Sequence, residues 1–367
     1  MKTHVDAVPI KSLRVSAYTI PTETPEADGT HDWDSTTIVI VEVSGGGKEG
    51  LGYTYADSAA AALIRETLTK VVVGRDAMSV QSAWRAMLRS IRNLGRPGIC
   101  AMAISAVDTA LWDLKARILD LPLVTLLGQV RDALPVYGSG GFTNYSDEQL
   151  HDQFCGWAAQ SIPAVKMKIG RSAAADRKRV AVARAAIGED VRLFVDANAG
   201  YSRKEALLQA CAFERFNVTW FEEPVSSDDL EGLKFIRDRV PAGMEVAAGE
   251  YGYDLDYFRR MLDASSVDVL QADATRCSGF SGFLQAAILC DAHHIPLSSH
   301  CAPALHVHIG CATPAVRHAE YFYDHVRIER MIFDGVREPI NGALRPDLTR
   351  SGVGLVLKSI DAQKFAV

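Results

Sequence analysis

Four pieces of sequence decide the fold: AVKMKIG at 164–170, LFVDANAGY at 193–201, TWFEEPV at 219–225 and VAAGE at 246–250. Each is a short apolar run that ends in charged residues. Each is followed by a Gly, Asn, Pro or Ser loop signal and then by a helical pattern. Repeated strand–loop–helix units build a parallel sheet. The acidic residues closing three successive runs, Asp196, Glu222 and Glu250, are 26 and 28 residues apart. A closed eight-fold β/α barrel of about 250 residues repeats roughly every 30. The three carboxylates are therefore expected at the C-terminal ends of neighbouring strands, on the face where barrel enzymes keep their chemistry. Three hard oxygen ligands converging on one point suit Mg2+.

Working outward, the barrel strands are expected at 134–137, 164–169, 192–196, 219–222, 245–248, 267–271, 296–298 and 320–322. Helical patterns at 172–187, 203–213, 229–239 and 280–293 lie between them. Upstream, β-branched runs at 13–20 and 36–43 read as strands. The stretch PTETPEADGTHDWDS at 21–35 reads as a mobile polar loop, and GLGYTYAD at 50–57 as a further short strand and loop. Together they make a lid that excludes water. Helices follow at 59–72, 79–88 and 100–119. In the last, Ala103, Val107, Ala110, Leu111, Leu114 and Ile118 recur at helical spacing. Asp108 and Asp113 on that helix read as interdomain hydrogen-bonders rather than ligands. The division is a capping domain at 1–130, a barrel at 131–335 and a segment at 336–367 that returns to the cap.

A chain of 367 residues favours two domains. With 48% hydrophobic and 23% charged residues, it has the profile of a soluble globular protein. A net charge of −6 implies no basic face and argues against nucleic acid. No apolar run reaches the roughly 18 residues a membrane span needs, and the start lacks the apolar core of a signal peptide. Seven cysteines without a C-x-x-C pair read as reduced thiols in a cytoplasmic protein.

Lys166 and Lys168 share one strand face, so both can point into the barrel mouth. Two ammoniums there are expected to depress each other's pKa and free one as a base. The spacing continues: Asp273 stands 23 residues after Glu250, His300 follows 27 later, and Glu320 another 20. Every strand from the second to the eighth thus ends in an ionisable residue, and strand ends need no particular charge. Asp273 on the adjacent strand end can hold His300 in one tautomer.

The set K-x-K (Lys166, Lys168), D-x-N (Asp196, Asn198), E-E-P (Glu222), G-E (Glu250), Asp273 and S-S-H (His300) resembles the mandelate racemase subgroup of the enolase superfamily. DTALWDLKARILDLPLVTLLG at 108–128 and ATPAVRHAEYF at 312–322 resemble it too. The resemblance implies an α/β fold: an N-terminal α+β capping domain over a modified (β/α)7β TIM-like barrel. It implies Mg2+ on Asp196, Glu222 and Glu250, with Lys168 as a base assisted by Lys166. It implies an Asp273–His300 acid/base dyad on the opposite face of the substrate. Glu320 meets the substrate carboxylate as a hydrogen-bond donor, and Asn198 touches the substrate. Two departures bear on the pocket: Arg276, where many relatives carry Lys, and Cys301 after the histidine.

The substrate expected is a small hydroxy-carboxylate. Its α-proton is weakly acidic, because removal piles a second negative charge on the carboxylate, and Mg2+ with Lys166 offsets that charge. Dehydration of an acid sugar leads. The lid is polar there, with His31, Tyr53 and Tyr55 among its candidate substrate contacts. Racemisation or epimerisation follows, since Lys168 and His300 form a two-base arrangement. A cycloisomerase ranks below both, because the muconate-lactonising relatives tend to carry Lys near the position of Asp273. A non-catalytic barrel should have lost a ligand or a base, and none is lost here. Homo-oligomerisation is the expectation for such an enzyme.

Overall fold

The computed structural model describes residues 7–367. Strands β1 (Ile10–Ala27), β2 (Asp32–Gly45) and β3 (Lys48–Tyr55) form an antiparallel meander in that order. The stretch 21–35, read above as a mobile loop, is instead the outer part of the β1–β2 hairpin. Pro21 pairs with Ser35, Glu26 with Trp33 and Ala27 with Asp32, around a register shift between Pro21 and Glu26. Its two prolines suggested a loop, but β1 is an edge strand, where proline is tolerated. Asp28 closes the tip: its Oδ1 accepts from the backbone N–H of Thr30 and of His31, each at 2.7 Å.

The helix Ile99–Ile118 packs under β3 and buries Ala103, Val107, Ala110, Leu111 and Leu114. Gly52 permits the close approach, because a Cβ there would stand 2.3 Å from the carbonyl oxygen of Ala106. Two aspartates tie this helix outward. Asp108 accepts from the backbone N–H and hydroxyl of Ser281 at 2.9 and 2.7 Å. Asp113 accepts from the N–H groups of Leu51 and Val353 at 2.7 and 2.6 Å.

Eight parallel strands follow: β4 (Leu134–Gly140), β5 (Ala164–Lys168), β6 (Arg192–Asp196), β7 (Val218–Glu222), β8 (Glu245–Ala248), β9 (Val269–Ala272), β10 (Leu297–Ser299) and β11 (Val316–Phe322). Neighbours pair in chain order, and β11 closes the ring on β4 with Glu320 beside Tyr137. Their ends differ from the sequence expectation by up to four residues, the largest shift being the start of β11. Register puts Lys168 beside Asp196 and Asp196 beside Glu222, so the ionisable side chains share one layer. Phe194 and Trp220 stand two residues earlier on β6 and β7, on the same inward face. With Tyr137, Ala164, Ala247 and Val269 they form an apolar floor beneath the site. The larger apolar core lies between strands and outer helices, as in Phe154, Phe213, Phe221 and Phe283.

The last residues run back along the cap. Arg117 donates to the carbonyl of Leu355 at 2.7 Å, and the N–H of Val367 donates to Ala17 of β1 at 3.1 Å. Among the described residues, no helix is long and apolar enough to cross a membrane, and all seven cysteines are free thiols.

Candidate active site

Asp196 and Glu222 end β6 and β7, and Glu250 follows β8. One carboxylate oxygen from each lies within 4.8 Å of the other two, and all three residues are buried. Gly249, at φ +140°, lets the chain turn Glu250 inward; a Cβ there would stand 2.1 Å from the carbonyl oxygen of Gln271. Burial, and then the Asp196 carboxylate, push Glu222 up to about 8. Burial pushes Asp196 the same way, but Lys168 and Lys166 outweigh it and hold that carboxyl below its usual range. Oε2 of Glu250 has no hydrogen-bond partner among the described residues. Buried carboxylates crowded together, with one oxygen orphaned, are costly unless a cation joins them. A donor set of hard oxygens alone fits Mg2+, and Asp196, Glu222 and Glu250 would hold it.

Two ammoniums border the carboxylates. Nζ of Lys166 lies 2.5 Å from Glu222 Oε1, 2.8 Å from Glu320 Oε1 and 3.5 Å from Asp196 Oδ2. Nζ of Lys168 lies 2.6 Å from Asp196 Oδ2. The expected mutual depression of the two lysines exists in sign but is outweighed. Burial and Lys166 pull Lys168 down, yet the Asp196, Glu250 and Glu222 carboxylates together lift it above its ordinary value.

Across the ring, Asp273 follows β9 and His300 follows β10. Nδ1 of His300 stands 2.8 Å from Asp273 Oδ2. The other oxygen of Asp273 accepts from the N–H and hydroxyl of Thr275, both at 2.7 Å. Nε2 of His300 then stands 3.3 Å from Cys301 Sγ and 3.4 Å from Glu250 Oε2. Arg276 Nη1 donates to the carbonyl oxygen and Oε1 of Glu250 at 3.2 and 3.3 Å. Glu320 pairs through Oε1 with Lys166 and accepts at Oε2 from the N–H of Cys301 at 2.9 Å. Burial raises its pKa, but Lys166 and then His300 carry it well below the usual range. In this setting Glu320 is an acceptor, so the donor role that the resemblance implied needs a proton its neighbours disfavour.

A cavity of about 630 Å3 opens above these groups, between lid and barrel. Lys168, Glu250, His300 and Glu320 reach it; Lys166, Asp196, Glu222 and Asp273 are buried and do not line it. Of the expected substrate contacts, Asn198, His31 and Tyr55 line the cavity. Tyr53 does not. It is fully buried, and its hydroxyl donates to Glu329 at 2.5 Å. Tyr137 belongs to the apolar floor.

Some contacts around the site went unread in the sequence. Thr30 donates to the carbonyl of Asn198 at 3.2 Å, tying the lid tip to the loop after β6. Arg171 clamps the same tip through the carbonyls of Asp28 and His31, each at 2.7 Å. The Asp-Gly-Thr-His turn was the available signal for this anchor. His325, stacked on Tyr55, forms another part of the wall and carries no sequence signal of its own.

A carboxylate trio that fits a divalent cation, two buried lysines and an Asp–His pair ring the mouth of a closed β/α barrel beneath a hairpin. Residues 12–128 match the mandelate racemase / muconate lactonizing enzyme N-terminal domain, and residues 149–361 match the enolase C-terminal domain-like family. The chain belongs to the mandelate racemase / muconate lactonizing enzyme family of the enolase superfamily. Among curated relatives, the 3,6-anhydro-alpha-L-galactonate cycloisomerase of Streptomyces coelicolor is 33% identical over 86% of this chain and 88% of its own. The L-talarate/galactarate dehydratase of Salmonella typhimurium is 30% identical over 85% and 81%. Among solved structures, a mandelate racemase/muconate lactonizing enzyme-like protein from Rubrobacter xylanophilus is 52% identical. It has a TM-score of 0.96 and covers 98% of this chain and 100% of that one. A racemase from Streptomyces coelicolor A3(2), solved with bound magnesium, is 30% identical with a TM-score of 0.92 over 98% and 100%.

Proposed function

We propose that this protein is a Mg2+-dependent dehydratase of an acid sugar, giving a 2-keto-3-deoxy acid. The observation that carries the reading is the placement of two proton-transfer groups around one cavity. Lys168 stands on β5, and the Asp273–His300 pair stands after β9 and β10, with the trio on the three strands between β5 and β9. Asp196, Glu222 and Glu250 would hold Mg2+, which would supply Lewis-acid stabilisation of the second charge that gathers on the substrate carboxylate. Lys166 adds positive charge at the same end. Lys168 takes the α-proton from one side in its neutral form, which a cation on the trio would favour by offsetting the carboxylates that lift it. His300, oriented by Asp273, gives a proton to the departing β-hydroxyl from the other. Thr30, His31, Thr36 and Tyr55 on the cavity wall offer hydrogen bonds to the remaining hydroxyls. The dehydratases of galactarate, gluconate and arabinonate among the relatives support this choice.

A second reading is cycloisomerisation of an anhydro sugar acid, favoured by the relative at 33% identity. It shares the first step, and a ring oxygen at the β-carbon replaces the hydroxyl as leaving group. A library of mono- and diacid sugars, with semicarbazide trapping of keto acids, separates the readings. Dehydration gives a trapped keto acid from an open-chain substrate. Substrates that yield only inverted stereocentres would replace the proposal with racemisation, and turnover of anhydro acids alone would replace it with cycloisomerisation.

A further inference from the structure

We propose that His300, Cys301 and Glu320 form a second cation site, one that takes a thiophilic divalent ion such as Zn2+ and so silences the Asp273–His300 pair. One ligand atom from each residue lies within 4.8 Å of the other two, and all three residues are buried. The spacing suits a small tetrahedral ion. Cys301 Sγ is 3.3 Å from His300 Nε2, and that nitrogen is 3.9 Å from Glu320 Oε2. Bonds of about 2.3 Å to sulfur and about 2.0 Å to nitrogen or oxygen separate tetrahedral ligand atoms by roughly 3.3–3.6 Å. Side-chain rotation that draws the Glu320 carboxylate toward the other two ligand atoms, all three now within 4.8 Å of one another, closes the set.

A second observation points into the same place. Oε2 of Glu250, on a side chain only 5% exposed, has no hydrogen-bond partner among the described residues and stands 3.4 Å from Nε2 of His300. With Mg2+ on the trio that carboxylate is engaged there, so the fourth position of the second site falls to water.

Chemical softness sorts ions between the two adjoining sites. Mg2+ takes carboxylates and waters, whereas Zn2+ takes thiolate and imidazole readily. Asp273 already holds Nδ1 of His300, and a carboxylate behind a ligating imidazole fixes its orientation and raises its basicity. Binding is ligand exchange without redox change: the Cys301 S–H bond and, where His300 is protonated, its Nε2–H bond break, the protons go to solvent, and bonds from sulfur and nitrogen to the metal replace metal-bound waters. The site rests on these residues alone. Its consequence rests on the proposed function, because an Nε2 held by a cation can neither give nor accept a proton.

Cobalt(II) tests the site, since ligation by thiolate gives a near-ultraviolet charge-transfer band that ligation by oxygen alone does not. The Mg2+-saturated full chain is titrated with Co2+. One equivalent should raise the band in the wild type and in Glu222→Gln, which alters the carboxylate trio and its pair with Lys166 but none of the three ligands proposed here. Cys155→Ser, which removes the other thiol beside a histidine, at 3.6 Å from His151, should leave it unchanged. Cys301→Ser should lack it, and Asp273→Asn should weaken Co2+ about 10–100-fold, with circular dichroism checking that both stay folded. No band in the wild type, or a full band in Cys301→Ser, overturns the site whatever the reaction proves to be. Separately, Zn2+ should abolish turnover in Mg2+-saturated wild type and leave the residual turnover of Cys301→Ser untouched. A thiolate band without loss of turnover overturns the silencing and the role given to His300.

Discussion

Nδ1 of His300 stands 2.8 Å from Asp273 Oδ2, and this hydrogen bond decides which imidazole nitrogen faces the cavity. With Nδ1 engaged, Nε2 is left toward the cavity that Lys168 lines from the far side. Two groups on opposite sides should act on opposite faces of the α-carbon. With a slow substrate in D2O, Lys168→Ala and His300→Asn should each suppress exchange from one face, by about 10^2–10^4-fold. Proton NMR of recovered substrate reads this directly. Asp273→Asn should lose less, since it orients the imidazole without transferring the proton. Wild-type exchange in both base variants would mean the bases are misassigned.

The carboxylate trio predicts metal dependence with intact folding. EDTA should abolish activity and Mg2+ should restore it. Glu222→Gln removes one negative ligand and disturbs the 2.5 Å pair with Lys166. Its turnover should fall about 10^3-fold, the equivalent of several kcal/mol of lost charge stabilisation. Circular dichroism should match the wild type. Full activity in metal-free protein contradicts the ligand assignment.

How much of this was legible in the sequence differs by residue. Asp196, Glu222 and Glu250 were readable because parallel strands of one barrel end at one layer, so their charges recur in phase. The internal arrangement of the lid was not, for two physical reasons. Tyr53 and Tyr55 share a face of β3, as period two requires. Two residues along a strand cover about 6.8 Å, however, and that step separates the Tyr53 contact with Glu329 from the cavity wall at Tyr55. The polar hairpin at 21–35 hides its strand pairing, because its one buried carboxylate, Glu26, is satisfied by the indole N–H of Trp33 at 2.9 Å. A spacing argument likewise put two lysines on one face without showing that carboxylates from β6 and β7 would be their nearest neighbours.

Tyr53→Phe tests the corrected assignment. The substitution leaves Glu329, fully buried, without the hydroxyl that now donates to Oε1. An unsatisfied buried group costs about 1–3 kcal/mol, so urea unfolding should show a loss of that size. KM should stay within about twofold of wild type, because the ring does not line the cavity. A large rise in KM with unchanged stability would return Tyr53 to the substrate pocket.

His308 makes a pH prediction away from the site. It lies in the helix Pro303–Ala312, is 2% exposed, and its Nδ1 has no hydrogen-bond partner among the described residues. Burial lowers its pKa from 6.5 to about 4, against smaller opposing effects of the Val353 backbone and Asp347. The folded value therefore lies below the unfolded one. Above pH about 6.5 neither state binds the proton, and the group leaves stability unchanged. From there down to about 4 the unfolded chain takes up a proton that the folded chain refuses, so stability falls with pH. Below about 4 both states bind it and the loss levels off. The difference of about 2.5 units, from 6.5 to about 4, corresponds to roughly 3 kcal/mol. His308→Gln removes the titration and costs some packing at every pH. The stability of wild type minus variant, from urea unfolding at pH 7 and pH 4.5, should therefore drop by about 2–3 kcal/mol at the lower pH. Other groups titrate in both proteins and cancel in that difference. An equal difference at the two pH values would show that His308 charges as readily in the folded protein as in the unfolded chain.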